Sequence, residues 1–460
     1  MKRNPERTFR LFAIIILCFY LFQYITETTG LGVISYPVVI DATIFSLVSA
    51  WYLWLYRRQN LLCFEIMALP IAFLGLFFQD IIAPILPDAL FHSISDHYIR
   101  IKSADLQMIG YMSFFVGCAF ANRLKRGYNL IDHSRNYNYK VFFNVILALT
   151  IIVVLYDYAT GVFHKWFLYS NLGVLDKEEK SEGLGLLTDL IIIMTLIDVI
   201  RLKEAGVSSF REYIKKCNKF CVAIWLLISA LLLISGNRNE MLLVLLPCIV
   251  AYTICIQPIK SRHILLALFI GVFLMVASGT TRHDGFGISG GVYNLMTLTA
   301  DFSNLGYDCD YLVQYTDKFG STNFKGMTMV LLSGIPFIGH HIVDFLGLEG
   351  VVTTPDLTTE SVGSESGLGT SIIGDMYYTS GMLWVLVYMF FYGYFMSRLY
   401  YSNKNVSIYL LFIYTYLVAN AVYYIRSSWY FPITRLEYVC IIIFIGRLLF
   451  KNGKKNSVQL

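Results

Sequence analysis

Arg238 lies in Ser235-Gly236-Asn237-Arg238-Asn239-Glu240, a tight polar turn between two long apolar runs. Three more arginines, Arg282, Arg426 and Arg435, also stand beside the ends of apolar runs. A guanidinium stays charged at physiological pH and engages phosphate oxygens two at a time. One such residue alone reads as a snorkelling or anchoring side chain. Four of them suit an anion held at headgroup depth, a diphosphate above all.

Groups able to move a proton lie nearby in the sequence. Arg282-His283-Asp284-Gly285-Phe286-Gly287 follows an apolar run, and His283 is its acid/base candidate. His340, in Gly339-His340-His341, either faces a pocket or sits at an interface. The stretch from Glu360 to Tyr378 is rich in Gly, Ser and Thr and contains Glu365 and Asp375. Glycines let backbone approach a ligand, and the flanking hydroxyl and carboxyl groups suit hydroxyl-rich partners. Asp375 opens an apolar run, where partial loss of water makes a carboxylate a better general base. It ranks ahead of His283 and Glu365. Asp308-Cys309-Asp310 has the Asp-x-Asp form of some metal sites, but in a segment already rich in Asp, so no metal is expected. The chain has no P-loop, Gly-x-Ser-x-Gly or His-Glu-x-x-His, and no cofactor is expected.

The elements that carry these groups are set by composition. The chain has 460 residues, 57% of them hydrophobic and 15% charged, with mean hydropathy +0.60. A soluble domain of this length could not cover so much apolar surface. The apolar residues come in continuous blocks near bilayer length, which argues for helices over a β-barrel. The net charge of +5 comes with no basic tail and no nucleic-acid motif. The nine cysteines are scattered, nearly all in or beside apolar runs, so a disulfide framework is not expected.

Twelve spans follow: 11–24, 33–56, 61–78, 106–122, 141–156, 184–200, 220–234, 241–256, 264–278, 372–396, 406–424 and 438–450. With the N-terminus inside, 25 of the 36 Lys and Arg fall on the inner side, and each even-numbered span ends in a basic flank. That pattern supports both the span count and a cytoplasmic position for both termini. The expectation is an all-α, polytopic integral membrane protein, 1–460, forming one membrane domain. Residues 279–371 would form a long outer loop before the tenth helix. Within that loop, 327–348 is apolar but broken by Pro336, His340, His341 and Asp344, which suits an interfacial or re-entrant piece. No internal repeat of the kind common in transporters is visible.

The twelve-span frame, Ser-Gly-Asn-Arg-Asn-Glu-Met-Leu-Leu at an outer turn and the stretch Gly367 to Gly381 resemble the O-antigen and capsule polymerases of the Wzy type. The resemblance implies a bacterial inner-membrane glycosyltransferase. It would join oligosaccharide repeat units carried on undecaprenyl diphosphate, without metal, beside a chain-length regulator as partner. Arg238 matches the family's outer-turn arginine; Arg282, Arg426 and Arg435 are added from position alone. Related O-antigen ligases carry a histidine where this chain has Thr370, which favours polymerase over ligase. A transporter or flippase of lipid-linked or anionic solutes is the alternative from a different class.

Overall fold

The computed structural model describes residues 5–29, 38–56, 62–77, 96–123, 139–160, 182–234, 238–259, 291–333, 335, 339–348, 350–362, 369–402 and 408–449. Among them the chain is helical with no strand. The helices are α1 Pro5–Thr28, α2 Val38–Leu55, α3 Phe64–Phe77, α4 His97–Arg123, α5 Tyr139–Ala159, α6 Glu182–Glu204, α7 Phe210–Lys216, α8 Lys219–Ile234, α9 Arg238–Cys255, α10 Gly291–Phe319, α11 Lys325–Ser333, α12 Gly339–Phe345, α13 Thr354–Ser361, α14 Ile372–Ser402, α15 Ile408–Ala419, α16 Ala421–Tyr424 and α17 Phe431–Leu449. Four of them, α1, α2, α4 and α14, are long and apolar enough to cross a membrane. Helices α3, α5, α8, α9 and α15 carry shorter apolar stretches. The expected ninth span, 264–278, lies outside the described residues.

Side-chain contacts fix the relative directions of these helices. Tyr20 of α1 bonds Asp41 of α2 while Phe9 packs on Trp51 and Tyr52, so the two run antiparallel. Tyr52 donates to Glu65 at 3.0 Å and Phe45 meets Phe77, which sets α3 antiparallel to α2. Ser113 donates to the Leu386 carbonyl and Cys118 to that of Gly393, so α4 and α14 run parallel. Trp225 of α8 donates to the Val244 carbonyl of α9, and Ile228 and Leu232 share a cluster with Met241. Tyr400 meets Tyr414 and Tyr388 bonds Tyr424, so the chain returns antiparallel through α15 and α16. These directions agree with the alternation the charge count expects. They bring the C-terminal ends of α1 and α16 to the same end of the bundle as the first turns of α4, α14 and α17, while the C-terminal end of α8 adjoins the first turn of α9.

The α4–α14 pair forms the centre, and its closeness comes from glycine. A Cβ on Gly117 would strike the Phe390 carbonyl, and one on Gly393 would strike that of Phe114. Small residues let backbones approach in this way where lipid gives helices no hydrophobic reason to associate.

The described part of 279–371 is mostly helical, with short turns between its helices. In α10 the residues Leu305, Cys309, Leu312, Val313 and Thr316 recur at helical spacing and are buried. Helix α10 packs on α14, α3 and α4. The apolar stretch 327–348 is indeed interrupted, forming the short α11 and α12, which pack together.

Replacing Gly117 or Gly393 by leucine should cost roughly 1–3 kcal/mol or more through overpacking. Thermal unfolding of the solubilised protein reads this as a clear fall in Tm. Gly326→Ala, whose added methyl would meet the Tyr430 hydroxyl only at 3.8 Å, should leave Tm unchanged.

Candidate functional site

Asp375 sits in the first turn of α14 with 1% of its surface exposed. One carboxyl oxygen accepts the Thr354 hydroxyl at 2.7 Å, and the other accepts the Trp429 backbone N–H at 2.9 Å. The Thr379 hydroxyl donates to the Asp375 carbonyl at 2.8 Å and accepts the Trp429 indole at 3.1 Å. The carboxylate thus ties α13, α14 and the turn before α17 together. A general base needs an oxygen open to the substrate's proton. Each oxygen here holds one donor, so this arrangement gives the buried Asp375 an anchoring role at the junction.

The same junction fixes Arg426. Thr370 N–H donates to the Arg426 carbonyl at 3.2 Å, and Ile372 N–H to that of Ile425 at 3.1 Å. The half-buried Arg426 side chain lies against Gly369, whose φ of +95° and lack of Cβ make room for it. A Cβ there would fall 2.8 Å from the arginine carbonyl and 3.5 Å from Nε. Asp308 of α10 is fully buried within electrostatic reach of Arg426, and its Oδ1 has no hydrogen-bond partner among the described residues. Burial pushes the Asp308 carboxyl well above the usual carboxylate range; the Arg426 charge opposes that rise and Asp310 adds to it.

The Asp-x-Asp pair lies inside α10. Residues i and i+2 of a helix point to different sides, so Asp308 and Asp310 do not converge. Among the described residues no group of three His, Cys, Asp or Glu stands together for a metal.

Arg238 opens α9 and Arg435 lies early in α17. Arg435, six residues past Trp429, starts its helix at the bundle end that holds Asp375 and Arg426, and the charge alternation of the sequence expects Arg238 at the same end. The side chains of Arg238 and Arg435, and that of His340 in α12, lie outside the described part of the structure. Arg282, His283 and Glu365 lie outside the described residues altogether.

A second polar centre at this end was not anticipated from the sequence. Lys102 of α4 pairs with both oxygens of Asp317, at 2.8 and 2.6 Å. Tyr377 donates to Asp317 at 2.8 Å, and Tyr24 donates to Tyr377 at 3.1 Å. The ammonium also lies over both tyrosine rings, 5.7 and 5.6 Å from their centroids. Buried Gln23, Glu27 and Asp105 adjoin it. Lys102 and Asp105, one turn apart near the start of a helix whose later turns are largely apolar, were the available signal.

Helix α14 is broken after Thr379. Ser380 and Gly381 leave helical geometry, Gly381 with φ +76°. Thr322 N–H caps the Tyr378 carbonyl at 2.9 Å. A broken helix at membrane depth persists where neighbouring backbone satisfies the freed groups.

The raised Asp308 group has a definite sign. Its contribution to stability is fully present below about pH 4, the unfolded carboxylate value, and is lost as pH rises through the folded value. The wild type should therefore lose Tm as pH rises above the ordinary carboxylate range. Asp308→Asn should flatten that slope; an unchanged slope would remove Asp308 from the explanation.

No protein-family model matches the chain, and comparisons with curated proteins and with solved structures give no match either.

Proposed function

We propose that the protein is a bacterial inner-membrane glycosyltransferase that polymerises oligosaccharide repeat units carried on undecaprenyl diphosphate into surface polysaccharide. The reading takes about twelve spans, both termini in the cytoplasm, and the arginine-bearing end of the bundle facing outward. The observation that carries it is Arg426, fixed by backbone pairing at the bundle end where α17 begins with Arg435; the charge alternation of the sequence adds Arg238 to that end.

An acceptor hydroxyl attacks the anomeric carbon of the donor sugar. The new C–O bond forms as the bond to the diphosphate breaks, and the electron pair leaves on the lipid diphosphate. Preorganised guanidinium groups stabilise the charge that develops there. The hydroxyl proton passes to a base; His283 and Glu365 remain the sequence's candidates for it. Outer segments that exclude water protect the donor from hydrolysis. A chain-length regulator is the protein partner this reading carries. Thr370, at the place of the ligase histidine, is fully buried, which fits polymerase better than ligase.

A second reading is transport of a lipid-linked or anionic solute. Buried Lys102, Glu27 and Asp105, with Asp317 paired to the lysine, are the observation in its favour, since charge inside membrane-length helices is costly and often functional.

In cells, Arg238→Ala and Arg426→Ala should each lower polymer formation about 10²-fold with normal membrane insertion. Surface glycan would collapse to single repeat units on a gel. Lysine at either position keeps the charge but not the bidentate fork, and should restore only part of the ladder. An unchanged ladder in both alanine variants would sink the diphosphate-clamp assignment.

A further inference from the structure

Helix α10 carries an aromatic residue at every fourth position: Tyr307, Tyr311, Tyr315 and Phe319. Successive ring centroids lie 6.2, 6.0 and 4.6 Å apart, the first pair stacked with planes 16° from parallel. Tyr378 of α14 meets Tyr315 edge-on at 5.8 Å. Exposure grows along the row, from 9% at Tyr307 to 62% at Phe319.

Aromatic pairs at this spacing also stabilise a helix. That alone does not account for where the row sits. The buried face of α10 is Leu305, Cys309, Leu312, Val313 and Thr316, and the rings run beside it along an edge that opens to the surface. Groups suited to sugar hydroxyls border them. Ser361 of α13 bonds the Tyr307 hydroxyl at 3.2 Å, and the exposed Glu360 is close enough to act electrostatically on Tyr311. The Tyr307 end adjoins Asp308, which lies within electrostatic reach of Arg426. The row therefore leads away from the arginine corner for about 18 Å, the rise of twelve helical residues.

We propose that this edge of α10 is a carbohydrate track, on which an oligosaccharide stacks its ring faces on Tyr311, Tyr315 and Phe319 and bonds Glu360 and the tyrosine hydroxyls. The proposal rests on the polymerase reading and gives its glycan chain a place to lie. Sugars present C–H faces to π-systems and hydroxyls at their rims, and amphipathic tyrosine serves both. A row of half-exposed rings with one flanking carboxylate suits such a chain better than a lipid tail or a metal.

The test uses the full-length protein in micelles. The probe is a set of oligosaccharide fragments released by mild acid from the surface glycan of the producing cells. Saturation of the protein's aromatic protons should transfer to sugar ring protons in NMR spectra. Tyr311→Ala with Tyr315→Ala should weaken binding about tenfold. Tyr311→Phe with Tyr315→Phe keeps the rings and should keep binding. If the double alanine protein does not fold, Tyr311→Leu, which keeps apolar bulk without a ring face, takes its place and should also weaken binding. No transfer in the wild type, or ringless variants that bind as the wild type does, would overturn the track. Loss of the glycan ladder on deleting the gene, with no transfer, would overturn the track alone. Transfer with an intact ladder would overturn the polymerase reading alone.

Discussion

A carboxylate in a dry interior is tolerated only when its oxygens find donors, and Asp375 finds two from distant parts of the chain. Thr354 precedes it by 21 residues and Trp429 follows it by 54. That single group pins α13 and the turn before α17 to the start of α14. Arg426 stands three residues before Trp429, and its backbone is paired to the strand of residues leading into α14. The position of the described arginine is therefore a consequence of a buried acid, and so is the space above Gly369 that receives it. Removing the carboxyl group, as in Asp375→Ala, would leave two buried donors unmatched, each at a cost of about 1–3 kcal/mol.

Helix α10 divides this end of the bundle. On one side Asp308 lies within electrostatic reach of Arg426; on the other Asp317 holds Lys102. The two acids, nine residues apart, point to opposite sides of the helix. The aromatic edge lies on the Asp308 side, so in the proposed reading anion and glycan share one side. The Lys102 centre is a separate polar anchor between α1, α4, α10 and α14.

Much of the architecture was legible in sequence because charge and hydropathy are local signals. Basic flanks after alternate spans foretold the up-and-down alternation that Tyr20–Asp41, Tyr52–Glu65 and Ser113–Leu386 now show. Pro336 and its neighbours foretold the break between α11 and α12. The nature of 291–319 was missed: its Asp and Gly content reads as loop, while the helical recurrence of Leu305, Cys309, Leu312 and Thr316 was present and outweighed. The Tyr307-x3-Tyr311-x3-Tyr315-x3-Phe319 pattern was equally visible and passed over. The junction that Asp375 holds was not legible at all. Whether a carboxylate accepts a proton or holds a junction depends on partners that only the fold brings near, and nothing local marks Thr354 or Trp429 as those partners.

The central claim is that this end of the bundle joins lipid-diphosphate-linked glycans rather than moving them. Purified protein reconstituted into vesicles with lipid-linked repeat units tests it directly, by mass spectrometry of products on both leaflets. The account predicts longer glycans with one lipid diphosphate released for each new linkage. Repeat units recovered unlinked, whether in place or on the opposite leaflet, would contradict it.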